Sequence, residues 1–261
     1  MFISIPISET SESTDLRIAH ARRVISATII RVVWQPFSSE RTSQSHEIAL
    51  ILEEVSKTLA MAGGRSESAW RALTVRGLHG LLPSSSEWAE SATKEIVNIL
   101  MPLLTNSTVE AFEKDLAQIV QFSIDLWHEV QRDAATTIVK SDLDPADRAA
   151  WHPSDLEEDW PHPEDKPIHS DRSILCLFPQ ILQVLPNEGL PAVLEIVHPG
   201  SGLSQDSPLA HKGRLERDEL EKFVQEMRAD YMNSRRQGHS RKSSLAQPSS
   251  AATQQRRFEF S

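Results

Sequence analysis

The chain has 261 residues, of which 25% are charged, and a formal net charge of −10. This length allows a sizeable hydrophobic core, and the composition fits a folded protein with some disordered length. The acidic excess argues against general nucleic-acid binding. The single cysteine, Cys176, excludes an internal disulfide and a multi-cysteine metal site.

No apolar run approaches the roughly twenty residues that a membrane span requires. Residues 1–8 lack the basic start and the long apolar stretch of a signal peptide. Together with the lone cysteine, these features predict an intracellular protein, cytoplasmic or nuclear, that is not secreted and has no membrane span.

Apolar residues at three- and four-residue steps predict about five helices between residues 15 and 140. The longest is expected over residues 107–140, where Ser107 and Glu110 match the spacing of a capping box. Short polar connections between the helices are typical of an antiparallel bundle. We therefore expect a disordered leader over residues 1–14 and a helical bundle over residues 15–140. Its tryptophans are expected to fill the core: Trp34, Trp70, Trp88 and Trp127.

The first of these segments is ambiguous between helix and strand over residues 24–34. Most of its apolar residues are β-branched, and such residues are common in strands. The absence of glycine and proline from this stretch, together with its length, favours a helix.

Residues 141–172 are predicted to form an acidic linker that is rich in proline, tryptophan and histidine. Between residues 142 and 171, ten acidic residues face only Arg148 and Lys166, and five prolines prevent a continuous helix. Imidazoles and carboxylates are ligands for divalent metals, but their spacing matches no established zinc motif. The metal-site candidates are His152, Asp155, His162, Asp165 and His169. A solvated linker is the favoured interpretation, and Trp151 and Trp160 are candidate anchors for a basic partner protein.

Two apolar runs on either side of a proline-, asparagine- and glycine-containing turn predict a β-hairpin over residues 173–202. Residues 203–233 are predicted to form a loop and an amphipathic helix. Residues 234–261 are expected to be a disordered, basic, serine-rich tail in which Ser243 and Ser244 follow Arg241 and Lys242, a sequence typical of kinase substrates. The fold class is thus mainly α: an N-terminal helical bundle, a small docked β-hairpin and a C-terminal helix.

Two further features allow a functional and a structural interpretation. Cys176 lies between Leu175 and Leu177, so a buried, inert thiol is favoured over a nucleophile. Arg22 and Arg23 belong to a basic face of the first helix. This face could be solvated, could bind an acidic partner, or could bind the acidic linker of the same chain.

The combination of a helical N-terminal region, an acidic linker, Leu177-Phe178-Pro179 and His198-Pro199-Gly200 resembles uncharacterised proteins of filamentous fungi. This resemblance implies no activity and no site residue.

The sequence favours a non-catalytic interaction or scaffold protein with an unknown protein partner and no cofactor. The alternative is an enzyme with a site between the bundle helices, possibly metal-dependent, that uses His79, His128 and Glu129. A carboxylate–histidine cluster inside the bundle would support the alternative, and an apolar bundle core would support the first interpretation.

Overall fold

A computed structural model describes most of the chain between residues 8 and 243. The described residues are 8–39, 42, 46–62, 64–79, 86–105, 107–133, 135–144, 151–154, 156, 174–185 and 193–243. Among them, no helix is long and apolar enough to cross a membrane.

The structure is mainly helical and includes two small β-sheets, which confirms the predicted fold class. The helices are α1 (Ser11–Val32), α2 (His46–Ala62), α3 (Gly64–His79), α4 (Ser86–Leu100), α5 (Val109–Arg132) and α6 (Pro208–Ser243). A short 3₁₀ turn, Met101–Leu103, follows α4. The chain divides into two compact units, residues 1–214 and residues 215–261, so that α6 begins in the first and continues in the second.

The ambiguous first segment is helical, and α1 begins four residues earlier than expected. The hydroxyl of Thr10 accepts a hydrogen bond from the backbone N–H of Ser13, which is the usual way to cap a helix start. Residues 11–14 of the predicted leader therefore belong to the helix. The length and the missing glycine and proline outweigh the β-branched residues because α1 packs its apolar face against other helices.

Helices α1, α4 and α5 enclose the main hydrophobic core. Ile96, Leu116, Val120 and Ile124 are at most 1% exposed. The buried members of this core are all apolar: Ile29, Val33, Trp88, Ala89, Ala92, Ile96, Val97, Leu100, Leu116, Val120, Ile124 and Trp127. Burial of Trp88 and Trp127 confirms their predicted core positions, whereas Trp34 and Trp70 are half-buried.

The long helix predicted over residues 107–140 ends at Arg132, and residues 136–140 form strand β1 instead (Thr136–Lys140). Thr136, Thr137, Ile138 and Val139 are consecutive β-branched residues, which favour a strand once a neighbouring strand is present. The predicted capping box is also absent. Thr108 precedes the helix without a side-chain capping bond, and its hydroxyl donates to the carbonyl of Thr105 in a tight turn.

The segment after α1 is fastened to α5 by side chains. The Trp127 Nε1 group donates to the carbonyl of Gln35 at 2.9 Å, and the Trp34 Nε1 group donates to the carbonyl of Ser123 at 3.3 Å. Phe37 has a positive φ of 56°, which a non-glycine residue adopts only where its surroundings hold it. This segment is therefore part of the packed structure.

Helix α3 is joined to the end of α5 through Arg71. Its guanidinium forms a buried ion pair with Glu67 at 3.1 Å and donates to the carbonyls of Gln131 and Asp133. These carbonyls lie at the C-terminal end of α5, where backbone acceptors lack helical partners and the helix dipole favours a positive charge. Arg71 thus supplies donors to a helix end inside the protein.

Two three-stranded sheets replace the single predicted hairpin. Their strands are β2 (Trp151–Pro153), β3 (Ile174–Phe178), β4 (Gln180–Leu185), β5 (Val193–His198) and β6 (Gly200–Ser204), together with β1. In the first sheet, β4 lies between β1 and β5 and pairs antiparallel with both; in the second, β6 lies between β2 and β3.

Pro179 explains the difference from the predicted hairpin. It separates β3 from β4, so the first apolar run supplies one strand to each sheet, while β4 and β5 retain the expected antiparallel pairing. The predicted linker and the predicted closing turn also contain strands, because β2 runs parallel to β6 with Trp151 opposite Gly200. These strands were not recognised because each is short and its partner is distant in sequence.

A second, smaller core joins α1 to the second sheet and to the start of α6. Leu16 and Ala19 of α1 pack with Leu177, Leu203 and Leu209. A Cβ added at Gly213 would overlap the Cδ1 atom of Leu16, so glycine permits the close approach.

The tail prediction is wrong for residues 234–243, because they continue α6 as a helix; the predicted disorder of residues 244–261 lies outside the described residues. From Leu215 to Asn233 the helix is almost entirely exposed.

Candidate functional site

The predicted metal-ligand residues are mostly outside the described part of the chain. Asp155, His162, Asp165 and His169 are not among the described residues, and His152 is exposed on β2. Within the described ranges, no group of three or more histidine, cysteine, aspartate or glutamate side chains is arranged to hold a metal ion. The candidate metal site is therefore not assembled from described residues.

Trp151 does not occupy the exposed position that the docking hypothesis requires. It is 6% exposed, because β2 is incorporated into the second sheet beside β6. Trp160, the other predicted anchor, lies outside the described residues. Trp151 is thus corrected from a candidate surface anchor to a buried residue.

The two arginines of the basic face have different surroundings. Arg22 is exposed, whereas Arg23 is half-buried where α1 approaches β3. Burial raises the pKa of the Cys176 thiol to about 11, and the nearby positive charge of Arg23 opposes this rise only in part. At neutral pH this thiol is protonated, which agrees with the inert role predicted for Cys176.

Two residues of the enzyme alternative, His128 and Glu129, have separate surroundings in the structure. The half-buried His128 ring stacks on Trp88 with 6.2 Å between the ring centres, and desolvation lowers its pKa below the usual value. Glu129 is exposed and forms an ion pair with Arg132 at 2.8 Å. His79 ends α3, and its side chain is outside the described part of the structure.

Helix α2 of the first unit has an exposed apolar face. None of the described residues of this helix is fully buried, and Ile51 is 63% exposed. We call this face the α2 surface; it covers about half of the helix circumference, from Leu50 through Ile51 and Val55 to Ile48. The sequence predicted the helix and its apolar periodicity, but such periodicity normally marks a buried face. The sequence alone could not show that α3 packs beside these residues and leaves them exposed.

The α2 surface contains a shallow depression of about 450 Å³. Its lining is apolar apart from two polar residues and consists of Leu50, Ile51, Glu54, Val55, Thr58 and Leu59. The charges on α2 are mostly negative: Glu47, Glu53 and Glu54 face one cation, Lys57, which pairs with both Glu53 and Glu54. The α2 surface is thus an open, mainly apolar helix face that includes Glu54, rather than an enclosed pocket.

A second exposed apolar feature lies on α6 within residues 215–261. Its large apolar side chains recur at three- and four-residue steps along one stripe. We call this stripe the α6 seam, and it consists of Leu220, Phe223, Val224, Met227 and Tyr231. Exposure within the seam ranges from 38% for Val224 to 67% for Tyr231. The sequence predicted an amphipathic helix here, and the structure shows that its apolar stripe is exposed.

The candidate phosphorylation site remains a prediction. Ser243 is the last residue of α6, which places it at a helix end, and Ser244 lies outside the described residues.

Comparison with known proteins adds no assignment to these surfaces. No protein-family model matches the chain, and no curated protein and no solved structure matches it significantly.

Proposed function

We propose that this protein is a non-catalytic interaction protein that binds a partner through the α2 surface. The observation that carries the proposal is the exposure of Ile48, Leu50, Ile51 and Val55 on one helix, whose main neighbour among the described elements is α3. Contiguous apolar surface of this kind is characteristic of protein–protein interaction sites.

The partner that fits best is an amphipathic helix with basic residues beside its apolar stripe. The depression follows the axis of α2 through Ile51, Val55 and Leu59, and side chains at such spacing accept the anchors of a second helix. The net negative charge of α2 complements a basic flank, which would favour association and fix its orientation.

The apolar core of α1, α4 and α5 supports a non-catalytic role. The buried side chains described on α1, α4 and α5 include the polar Thr28, Thr93 and Ser123 but none that is titratable, and the half-buried His128 stacks on Trp88. Bundle enzymes place carboxylates and histidines inside their cores.

Site-specific photo-crosslinking tests the proposal. A benzophenone amino acid at position 51 of the full chain should crosslink a partner in the cells that express it, and the same group at the exposed Leu73 should not. The partner peptide should be an amphipathic, basic helix. With the purified partner, Val55→Glu should raise Kd at least about thirtyfold, since it places a charge in an apolar contact.

Leu73→Glu is the matched control because it makes the same chemical change outside the α2 surface, and it should alter Kd by less than about threefold. Thermal melting verifies that both variants remain folded. The proposal fails if positions 51 and 73 crosslink the same proteins, or if the purified partner binds Val55→Glu as well as the unchanged chain.

A further inference from the structure

The α6 seam contains apolar side chains at alternating four- and three-residue steps. Leu220, Val224, Met227 and Tyr231 are separated by four, three and four residues. Alternating steps of four and three residues are those of the apolar positions in a coiled-coil interface, in which these residues occupy the d, a, d and a positions. Phe223 is at the adjacent g position. A seam of this kind packs against another helix with the same repeat.

We infer that the α6 seam pairs with the α6 seam of a second copy of this chain, with the two helices antiparallel. This inference is independent of the α2 surface and of the partner proposed for it. A single seam can serve both copies, because a two-fold axis applies the same residues to both sides of the interface.

The apolar layers match in the antiparallel arrangement. A two-fold axis between positions 225 and 226 places Val224 opposite Met227 of the other copy and Leu220 opposite Tyr231. Each layer therefore combines one smaller and one larger side chain. All four are exposed in the single chain, so pairing removes their apolar surface from water.

The charges beside the seam favour the antiparallel orientation. In antiparallel coiled coils, e positions face e positions, which brings Glu221 of one copy beside Arg228 of the other, twice in each dimer. A parallel pair would instead combine one repulsive pair, Glu221 beside Glu216 of the other copy, with one attractive pair, Asp230 beside Arg235 of the other copy, so that the two offset each other. In a parallel pair, the basic residues within positions 235–242 would also lie at the same height in both copies, where like charges repel one another. The charges beside the seam therefore favour a second copy of this chain as the partner, and they favour the antiparallel orientation over the parallel one.

Sedimentation of the full chain tests the inference. Its mass should rise from 29.3 kDa towards twice this value with increasing concentration. Val224→Glu should remain a monomer at every concentration, because it would bury two unpaired charges in the seam. Residue 224 is exposed in the single chain, so the thermal melt of dilute protein should be unchanged.

Charge exchange at the flanking positions tests the orientation. Glu221→Lys and Arg228→Glu should each weaken dimerisation at least about tenfold, since each replaces two attractive pairs with two repulsive ones. The double variant should restore the original affinity to within about threefold. Glu226→Lys, the same charge change at an outward c position, is the control and should have little effect.

Three results would overturn the inference. They are a chain that stays monomeric at all concentrations, a dimer that survives Val224→Glu, and a dimer that is strengthened by Glu221→Lys. The last would indicate the parallel orientation, in which the new lysine faces Glu216.

Discussion

The helical core and α2 are built from similar residues but bury them very differently. In α4 and α5, Ile96 and Ile124 are completely buried between three helices. In α2, Ile51 and Val55 recur with the same helical spacing but remain exposed, because α3 is the main neighbour of α2 among the described elements. A periodic apolar stripe therefore shows that a helix has an apolar face. Whether this face is buried depends on the number of neighbouring helices.

Arg71 marks the boundary between these two regions, and its loss should have the largest effect on stability. Arg71→Ala would leave the buried Glu67 carboxylate without its ion pair and remove donors from two carbonyls of α5. We expect the free energy of unfolding to fall by about 3–5 kcal/mol in urea titrations. Lys57→Ala, which breaks only exposed ion pairs on α2, should produce no measurable change.

The comparison can be tested directly with one substitution in each region. Ile96→Ala should lower the free energy of unfolding by about 2–5 kcal/mol, because it removes buried methyl groups and leaves a cavity. Ile51→Ala should change the same quantity by less than about 0.5 kcal/mol, since this side chain is already exposed. Equal losses for the two variants would mean that α2 is covered in solution.

Hydrogen exchange should separate α2 from α5 without any substitution. Backbone amides of α2 are expected to exchange at least about tenfold faster than those in the middle of α5, because few buried contacts oppose local opening of α2. Mass spectrometry of peptic fragments from the native protein measures both helices in one experiment. Equal protection in α2 and α5 would contradict the difference in packing.

The smallest expected effect concerns pH. Desolvation lowers the pKa of both His20 and His128 below the ordinary value of 6.5, so the folded protein binds fewer protons than the unfolded chain. Stability should therefore be full above about pH 7 and should decline as the pH falls through 6.5. His128→Gln should flatten this decline in thermal melts, and a decline with the same slope in this variant would contradict the prediction.

The sequence predicted the main core more accurately than the sheets. In α5, the stripe that contains Leu116, Val120 and Trp127 was read from spacing alone, and it is buried as expected. Because helical periodicity repeats over many residues, an error in the predicted position of a helix end does not change the predicted apolar face. The end of α5 was misplaced because Thr136 and Thr137 acquire their strand partner from residues 183–184, more than forty positions further along the chain.

The candidate surfaces were only partly predictable. The α6 seam was recognised as an apolar stripe, and the predicted inert environment of Cys176 agrees with its raised pKa. Trp151 was misjudged because its acidic and proline-rich neighbours indicated an exposed linker. Its burial depends on parallel pairing with β6, whose glycines carry no hydrophobic signal.

By itself the sequence determined the helical character of the chain and the apolar faces of its helices, because these follow from local spacing. Only the tertiary structure decided which apolar faces are buried, which short strands pair and which backbone carbonyls accept hydrogen bonds from Arg71. These outcomes depend on contacts between distant segments, and such contacts leave no local pattern. The exposed α2 surface and the exposed α6 seam follow from those contacts.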